Sequence, residues 1–161
     1  MQQIVLIIRN LSFVKQNDPT LIRCFKVVDI VCSLFVDLAD RELTINCLDI
    51  ITNLAKQISL SDTAFGSELI DALFQLAYSV QVGLMPGMTM DTVDQCIECL
   101  RRLSLSGGNE IYLENLRDQD IQILVNQLVS SSIETREAAL EILCTISDKE
   151  TSNEKLKLRI A

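Results

Sequence analysis

Histidine is absent from the sequence, so neither a Ser-His-Asp triad nor a Cys-His pair can be assembled from it, and zinc sites built on imidazole are excluded. That removes most hydrolase chemistries. Tryptophan is also missing and aromatic residues amount to only 4%. Leucine and isoleucine fill the apolar positions instead, as expected of a core made from helix ridges packed on helix ridges. Long apolar runs are missing too. The longest are interrupted by Lys26, Asp29 and Asp37, far short of the ~18 unbroken residues that a membrane span requires. Residues 1–11 have no basic start and no small-residue cleavage site, so they do not read as a secretory signal. Positive charge is in deficit as well: 14 Lys and Arg stand against 22 Asp and Glu, a net charge of −8. Such a chain repels polyphosphate, which disfavours direct binding of nucleic acid. The one dense basic group, Lys149, Lys155, Lys157 and Arg159, is interleaved with Asp148, Glu150 and Glu154 and reads as a solvated terminal helix.

What the sequence does contain is repetition. The run Leu6-Ile7-Ile8-Arg9-Asn10-Leu11-Ser12 returns as Leu48-Asp49-Ile50-Ile51-Thr52-Asn53-Leu54-Ala55, as Ile97-Glu98-Cys99-Leu100-Arg101-Arg102-Leu103-Ser104, and as Leu140-Glu141-Ile142-Leu143-Cys144-Thr145-Ile146-Ser147. Leu11, Leu54, Leu103 and Ile146 are then equivalent, at steps of 43, 49 and 43 residues. Steps of that length belong to armadillo and HEAT units of two or three helices. The expected fold is all-α, a right-handed solenoid of about three and a half repeats forming a single domain. The units run roughly over 1–14 (partial), 18–58, 62–106 and 109–147, with 153–161 as the start of another. Because Ile4 to Ile8 reads as the last helix of a unit and Lys155 to Ile160 as the first of one, the chain is expected to be a piece of a longer array, or one that docks end-on to something else.

The pattern along the chain predicts where helices start and stop. A helix over 3–14 ends before Gln16-Asn17. Asp18-Pro19 opens the next, with Asp18 able to accept from free backbone donors and Pro19 preset for the first turn. From Thr20 to Leu38 the apolar face (Leu21, Cys24, Phe25, Val28, Ile30, Val31, Leu34, Phe35, Leu38) is wide enough for an inner helix. Asp40 caps Arg41 to Gln57, whose inward positions are Leu43, Cys47, Ile50, Ile51 and Leu54. Residues 63–82 follow as helix, with a possible interruption at Gly66. Gly83 to Gly87 is the strongest break, and it accounts for the longer middle step. Asp91 to Leu105 is the third copy, ended by Gly107-Gly108 in a left-handed turn. Short helices over 109–116 and 118–129 precede a last one over 132–147, with Ser131-x-x-Glu134 as its capping box.

Few residues suggest chemistry. Cys96-x-x-Cys99 has redox or zinc half-site spacing, yet it lies within a helical pattern with no adjoining strand and no second close pair. Both thiols are expected in the core, as are Cys24, Cys32, Cys47 and Cys144. Six cysteines without a secretion signal fit thiols kept reduced inside the cell. Asp91 with Asp94, and Asp118 with Asp120, stand where helix starts favour acids, so capping is preferred over cation binding. Gly107-Gly108 lacks the lysine and preceding strand of a phosphate loop. The Asn10-Leu11-Ser12 sequon sits in an apolar helix and is not expected to be glycosylated. No cofactor, metal or small-molecule substrate is anticipated, and an enzyme is the least favoured reading.

The trio of helices from Asn109 to Ser147, with Ile121-x-x-Leu124-Val125-x-x-Leu128 and Ala138-Ala139-x-x-x-Leu143-x-x-Ile146-Ser147, resembles an armadillo repeat. Adding Leu6 to Phe13, Leu48 to Ala55 leading into Ser61-Asp62, Asn109-Glu110, Asp118-Gln119-Asp120 and Leu140 to Leu143, the chain resembles the armadillo region of the AT-rich-interaction subunit of polybromo-type SWI/SNF remodellers and its RSC counterpart. The resemblance runs through nearly the whole chain. It implies a scaffold within a nuclear nucleosome-remodelling complex, acting in transcription regulation through contacts with other protein subunits. The DNA-binding domain that names that family is not in this sequence. In armadillo proteins that bind extended peptides, an asparagine in the third helix of successive units faces the concave groove and bonds the ligand backbone. The matching residues are Asn10, Asn53, Arg102 and Thr145. Arg can only donate and Thr is shorter than an amide, so this ladder is broken halfway. A surface for packing against proteins is therefore favoured over a peptide groove, and a general armadillo adaptor holding an extended basic or neutral peptide is the alternative.

Overall fold

The computed structural model describes residues 1–37, 40–114 and 116–147. They form eight α-helices and, among the described residues, no strand. These are α1 (Gln2–Ser12), α2 (Asp18–Arg23), α3 (Phe25–Val36), α4 (Arg41–Leu54), α5 (Gly66–Gln81), α6 (Met90–Ser104), α7 (Asp118–Gln127) and α8 (Ile133–Ser147). The fold is all-α. The expected opening helix at 153–161 lies outside the described residues, as do Lys149, Lys155, Lys157 and Arg159.

Two rows of helices emerge from the contacts. In one, α1 lies against α4, α4 against α6, and α6 against α8. In the other, α3 lies against α5 and α5 against α7. Each member of the second row also packs on the helix that follows it in sequence, α3 on α4, α5 on α6 and α7 on α8. The core fills the space between the rows: Val31, Cys32 and Phe35 from α3 and Leu69, Leu73, Phe74 and Leu76 from α5 on one side, Cys47, Ile50, Ile51, Val93, Ile97 and Leu100 from α4 and α6 on the other, all buried. Two apolar faces, one on each row, explain why these helices are amphipathic rather than apolar all round.

Local signals account for several boundaries. Asp40 accepts a hydrogen bond from the Leu43 amide at 2.8 Å and so caps α4 as expected. The left-handed stop expected at Gly107-Gly108 does not end α6, which closes at Ser104 with Leu105 right-handed; Gly108, with φ at +89°, instead leads into the 3₁₀ helix Asn109–Leu113. Gly66 is required for a different reason. A Cβ there would sit 2.5 Å from the Leu60 carbonyl oxygen, so only glycine lets the start of α5 lie against the 3₁₀ turn Leu60–Asp62.

Other expectations need correction. The single helix over Thr20 to Leu38 is two helices, broken at Cys24 (φ −86°, ψ 65°). The break turns Cys24, Phe25 and Ile30 outward, so they leave the proposed apolar face; Leu38 lies outside the described residues. Asp18 makes no capping bond. Its Oδ2 instead accepts from Gln57 Nε2 at 3.1 Å, while its Oδ1 is buried without a donor. The segment expected as helix over 63–82 begins only at Gly66, and 109–116 holds a 3₁₀ helix, Asn109–Leu113. The cap of α8 is Ser132, whose hydroxyl accepts from the Thr135 amide at 3.1 Å, rather than Ser131.

The four residues at equivalent repeat positions do not share one environment. Leu54, Leu103 and Ile146 are 1–3% exposed, but Leu11 is 43% exposed. The three buried side chains belong to helices covered by α3, α5 and α7, whereas α1 packs chiefly on α4. Its inward face is Val5, half-buried Ile8 and Ser12, which leaves Ile4, Ile7 and Leu11 outward.

Candidate functional site

The row α1, α4, α6, α8 carries all four residues expected to face a groove. Their side chains do not form a ladder. Asn10 is exposed. Asn53 spends its amide on the neighbouring helix, donating to Ser12 Oγ at 3.0 Å. Arg102 donates from Nε to Glu98 at 2.6 Å and from a terminal nitrogen to the Thr52 carbonyl at 3.1 Å, which ties α6 to α4. Thr145 turns back on its own helix and donates to the Glu141 carbonyl at 2.9 Å. Three of the four are therefore engaged within the fold.

Between the helices of this row runs a polar seam. Asp49 on α4 receives Arg9 from α1 and Gln95 Nε2 from α6, the latter at 2.6 Å. Arg9 also lies over the Phe13 ring, 5.2 Å from its centre. Farther along, Glu98 accepts from Arg101 at 2.7 and 2.8 Å and from Arg102, and Arg101 reaches across to Glu141 on α8 at 3.0 Å. Burial works to raise the Glu98 carboxyl, but the hydrogen bonds from Arg101 and Arg102 outweigh it and hold its pKa below the ordinary value. The Arg101 to Glu141 pair is more exposed, so it adds little to stability.

Sequence reasoning missed a concave feature of this face. A trough of about 490 Å³ opens between α6 and α8, walled by Asp94 and Glu98 on one side and Glu134, Glu137 and Glu141 on the other, with Arg101 as its cation. Asp94 was expected to act as a helix-start acid. Instead its Oδ1 is buried with no hydrogen-bond donor. Asp94 also walls a second cleft of about 400 Å³, whose lining includes Met90, Gln127 and Val129. A signal was present in the i, i+3, i+7 spacing of Glu134, Glu137 and Glu141, which puts three carboxylates on one helix face. That Asp94 and Glu98 stand opposite them is a fact of helix packing.

The thiols divide in two. Cys32, Cys47, Cys96 and Cys99 are buried as expected, but Cys24 and Cys144 are exposed, which corrects their assignment to the core. Cys24 sits at the unforeseen break, and Cys144 falls on the outward face of α8. Burial pushes the Cys32, Cys47 and Cys99 thiols up to about 12 and the Cys96 thiol well above its usual range. Thiols held so firmly protonated are weak nucleophiles.

Asn109 is a second residue whose role the sequence did not disclose. It is buried, its Oδ1 accepts from the Leu60 amide at 2.7 Å, and its Nδ2 donates to the Ile58 and Leu103 carbonyls at 2.8 and 3.0 Å. One side chain thus joins the loop after α4 to the end of α6. Among the described residues no helix is long and apolar enough to cross a membrane. No protein-family profile matches the chain, and no curated protein sequence matches it.

Proposed function

We propose that this chain is an armadillo-type, right-handed α-solenoid that serves as a non-enzymatic scaffold, a protein subunit of a SWI/SNF-type chromatin-remodelling complex in the nucleus. The observation that carries the scaffold reading is the regular order of the two rows, in which α4, α6 and α8 each lie against the helix that precedes them in sequence and beside the previous member of their own row. Such stacking yields an extended surface rather than one enclosed pocket, the property by which repeat arrays assemble partners. The remodelling assembly rests on the resemblance of the repeated leucine-rich motifs. A net charge of −8 favours protein over nucleic-acid contacts. The adaptor alternative draws less support, because Asn53, Arg102 and Thr145 already bond within the fold.

Affinity purification of the full-length protein from nuclear extract, followed by mass spectrometry, tests this reading. Recovery of a remodelling ATPase with its core subunits is the expected result. Recovery of assorted cargo proteins without any remodelling subunit overturns it in favour of the adaptor.

A further inference from the structure

Three columns of the repeat are sealed on every helix of the first row except α1. Ile4, Ile7 and Leu11 of α1 stand at the places of Cys47, Ile50 and Leu54 on α4, and of Cys96, Cys99 and Leu103 on α6. Those six are buried on helices covered by α3 and α5, and on α8, covered by α7, Ala139, Ile142 and Ile146 are buried likewise. On α1 the same columns are 58%, 60% and 43% exposed. Their spacing, three and then four residues, is that of a seam along which a second helix packs.

The vacant place has a wall as well as a floor. A further member of the second row, laid over α1, would lie beside α3 on the side away from α5. Asp29 marks the α5 side, accepting from the Ala64 amide at 3.2 Å just ahead of that helix. At ~100° per residue, Val27, Ile30 and Leu34 fall on the other side of α3, again three and four apart. Ile30 is exposed and the other two are half-buried. The rim of the place is basic. From residue 1 to residue 30 the exposed charges are Lys15, Arg23 and Lys26, while Asp18 is buried and Asp29 half-buried. A chain of net charge −8 thus sets three exposed cations along the segments that join its open apolar face to α3.

We propose that α1 is a docking seat for an amphipathic helix of a protein partner, apolar on the face that meets Ile4, Ile7 and Leu11 and acidic along its flanks. The bound helix would continue the second row ahead of α3, lying on α1 as α3, α5 and α7 lie on α4, α6 and α8. This extends the scaffold reading and rests on it for the partner being a protein. A second copy of this chain fits less well, because a symmetric contact through α1 would bring Lys15, Arg23 and Lys26 of one copy toward the same residues of the other.

The test uses the purified 161-residue chain and two labelled peptides, Glu-Leu-Glu-Gln-Leu-Phe-Glu-Gln-Leu-Glu-Gln-Leu-Phe-Glu and the same sequence with Lys for every Glu, followed by fluorescence anisotropy at physiological salt. Both carry the same apolar face, so the flanking charge alone separates them. The net charge of the chain favours the basic peptide, whereas the seat favours the acidic one, which is expected to bind at least about tenfold more tightly. Ile7→Gln/Leu11→Gln, at positions already partly in water, is expected to weaken the acidic peptide at least about tenfold. Arg23→Gln/Lys26→Gln is expected to weaken it about two- to fivefold per charge. Val82→Gln/Leu84→Gln, at exposed apolar positions away from α1, leaves it unchanged. Equal or tighter binding of the basic peptide, no binding of either, or equal losses in Ile7→Gln/Leu11→Gln and Val82→Gln/Leu84→Gln would overturn the proposal. So would a concentration-dependent dimer in sedimentation that Ile7→Gln/Leu11→Gln dissolves, because the face then belongs to a second copy. If Ile7→Gln/Leu11→Gln fails to fold, the charge variant decides. The scaffold reading stands or falls separately, on whether a remodelling ATPase is recovered with the full-length protein.

Discussion

Helices α1 and α6 carry the same repeat signature and meet different fates. Ser12 and Ser104 match closely: both are buried, and each donates its hydroxyl to the carbonyl three residues back, at 2.8 and 2.7 Å. Asn17 and Asn109, each six residues beyond the repeat leucine, both donate to that leucine's carbonyl, at 3.0 Å. Yet Leu103 is 1% exposed and Leu11 43%. Ser12 faces the neighbour in its own row, accepting from Asn53 of α4, whereas the leucine awaits a helix of the other row, which α5 supplies to α6. Repetition in sequence therefore specifies which face is apolar, and the neighbours determine how far it is buried. Four predictions probe this contrast.

The largest difference is expected in thiol chemistry. With its value pushed up to about 12 by burial, the Cys99 thiol is ionised far less than an exposed one. Iodoacetamide followed by peptide mass analysis should label exposed Cys24 and Cys144 on the native chain and reach Cys32, Cys47, Cys96 and Cys99 only on unfolding. Early labelling of Cys96 or Cys99 would mean that the middle of the molecule opens as readily as its edges.

Truncating the repeat leucines sharpens the comparison in energy. Leu103→Ala should lower the free energy of unfolding by ~2–5 kcal/mol, because it leaves a cavity among buried side chains. Leu11→Ala should cost less than about 1 kcal/mol, since its side chain is already partly in water. Denaturant titration of both variants measures the gap, and equal losses would show that α1 is covered in solution.

A smaller contrast is expected between the asparagines. Asn109→Ala strands the Leu60 amide and the Ile58 and Leu103 carbonyls in the interior, at a cost of about 2–3 kcal/mol. Asn17→Ala removes one exposed bond and should cost about 0.5 kcal/mol. Thermal unfolding of the pair decides whether the two are equivalent in function as well as in position.

The smallest effect concerns acid. The folded-state pKa of Glu98 is lowered, so its bonds to Arg101 and Arg102 contribute stability that is present above the unfolded glutamate value and lost as pH falls through the folded one. Unfolding midpoints of the wild type and Glu98→Gln should therefore converge as pH falls below about 4.3. A constant separation down to pH ~3 would mean that Glu98 is held by packing rather than by charge.

Much of the fold was legible before any packing was known. Asp40 as a cap and the inward set Cys47, Ile50, Ile51 and Leu54 both follow from residue types acting within a turn or two of helix. The break at Cys24 was not legible, because no glycine or proline lies between Thr20 and Val36 to announce it. Ser132 displaced Ser131 as the cap of α8 by one position, a choice between two residues of identical chemistry. The acidic trough and the staple made by Asn109 escaped for a stronger reason. Both depend on groups about 40 or more residues apart in the chain.

The sequence by itself determined that the chain is helical, where its stripes of leucine and isoleucine lie, and that it lacks imidazole chemistry, since helix periodicity, capping and composition are local properties. Only the tertiary structure decided that Leu103 is sealed while Leu11 is not, that Asn53 serves the fold, and that five carboxylates share one trough. Burial and charge opposition are set by what lies across the gap between helices, and that neighbour is fixed by packing of the whole array rather than by any residue's own surroundings in the chain.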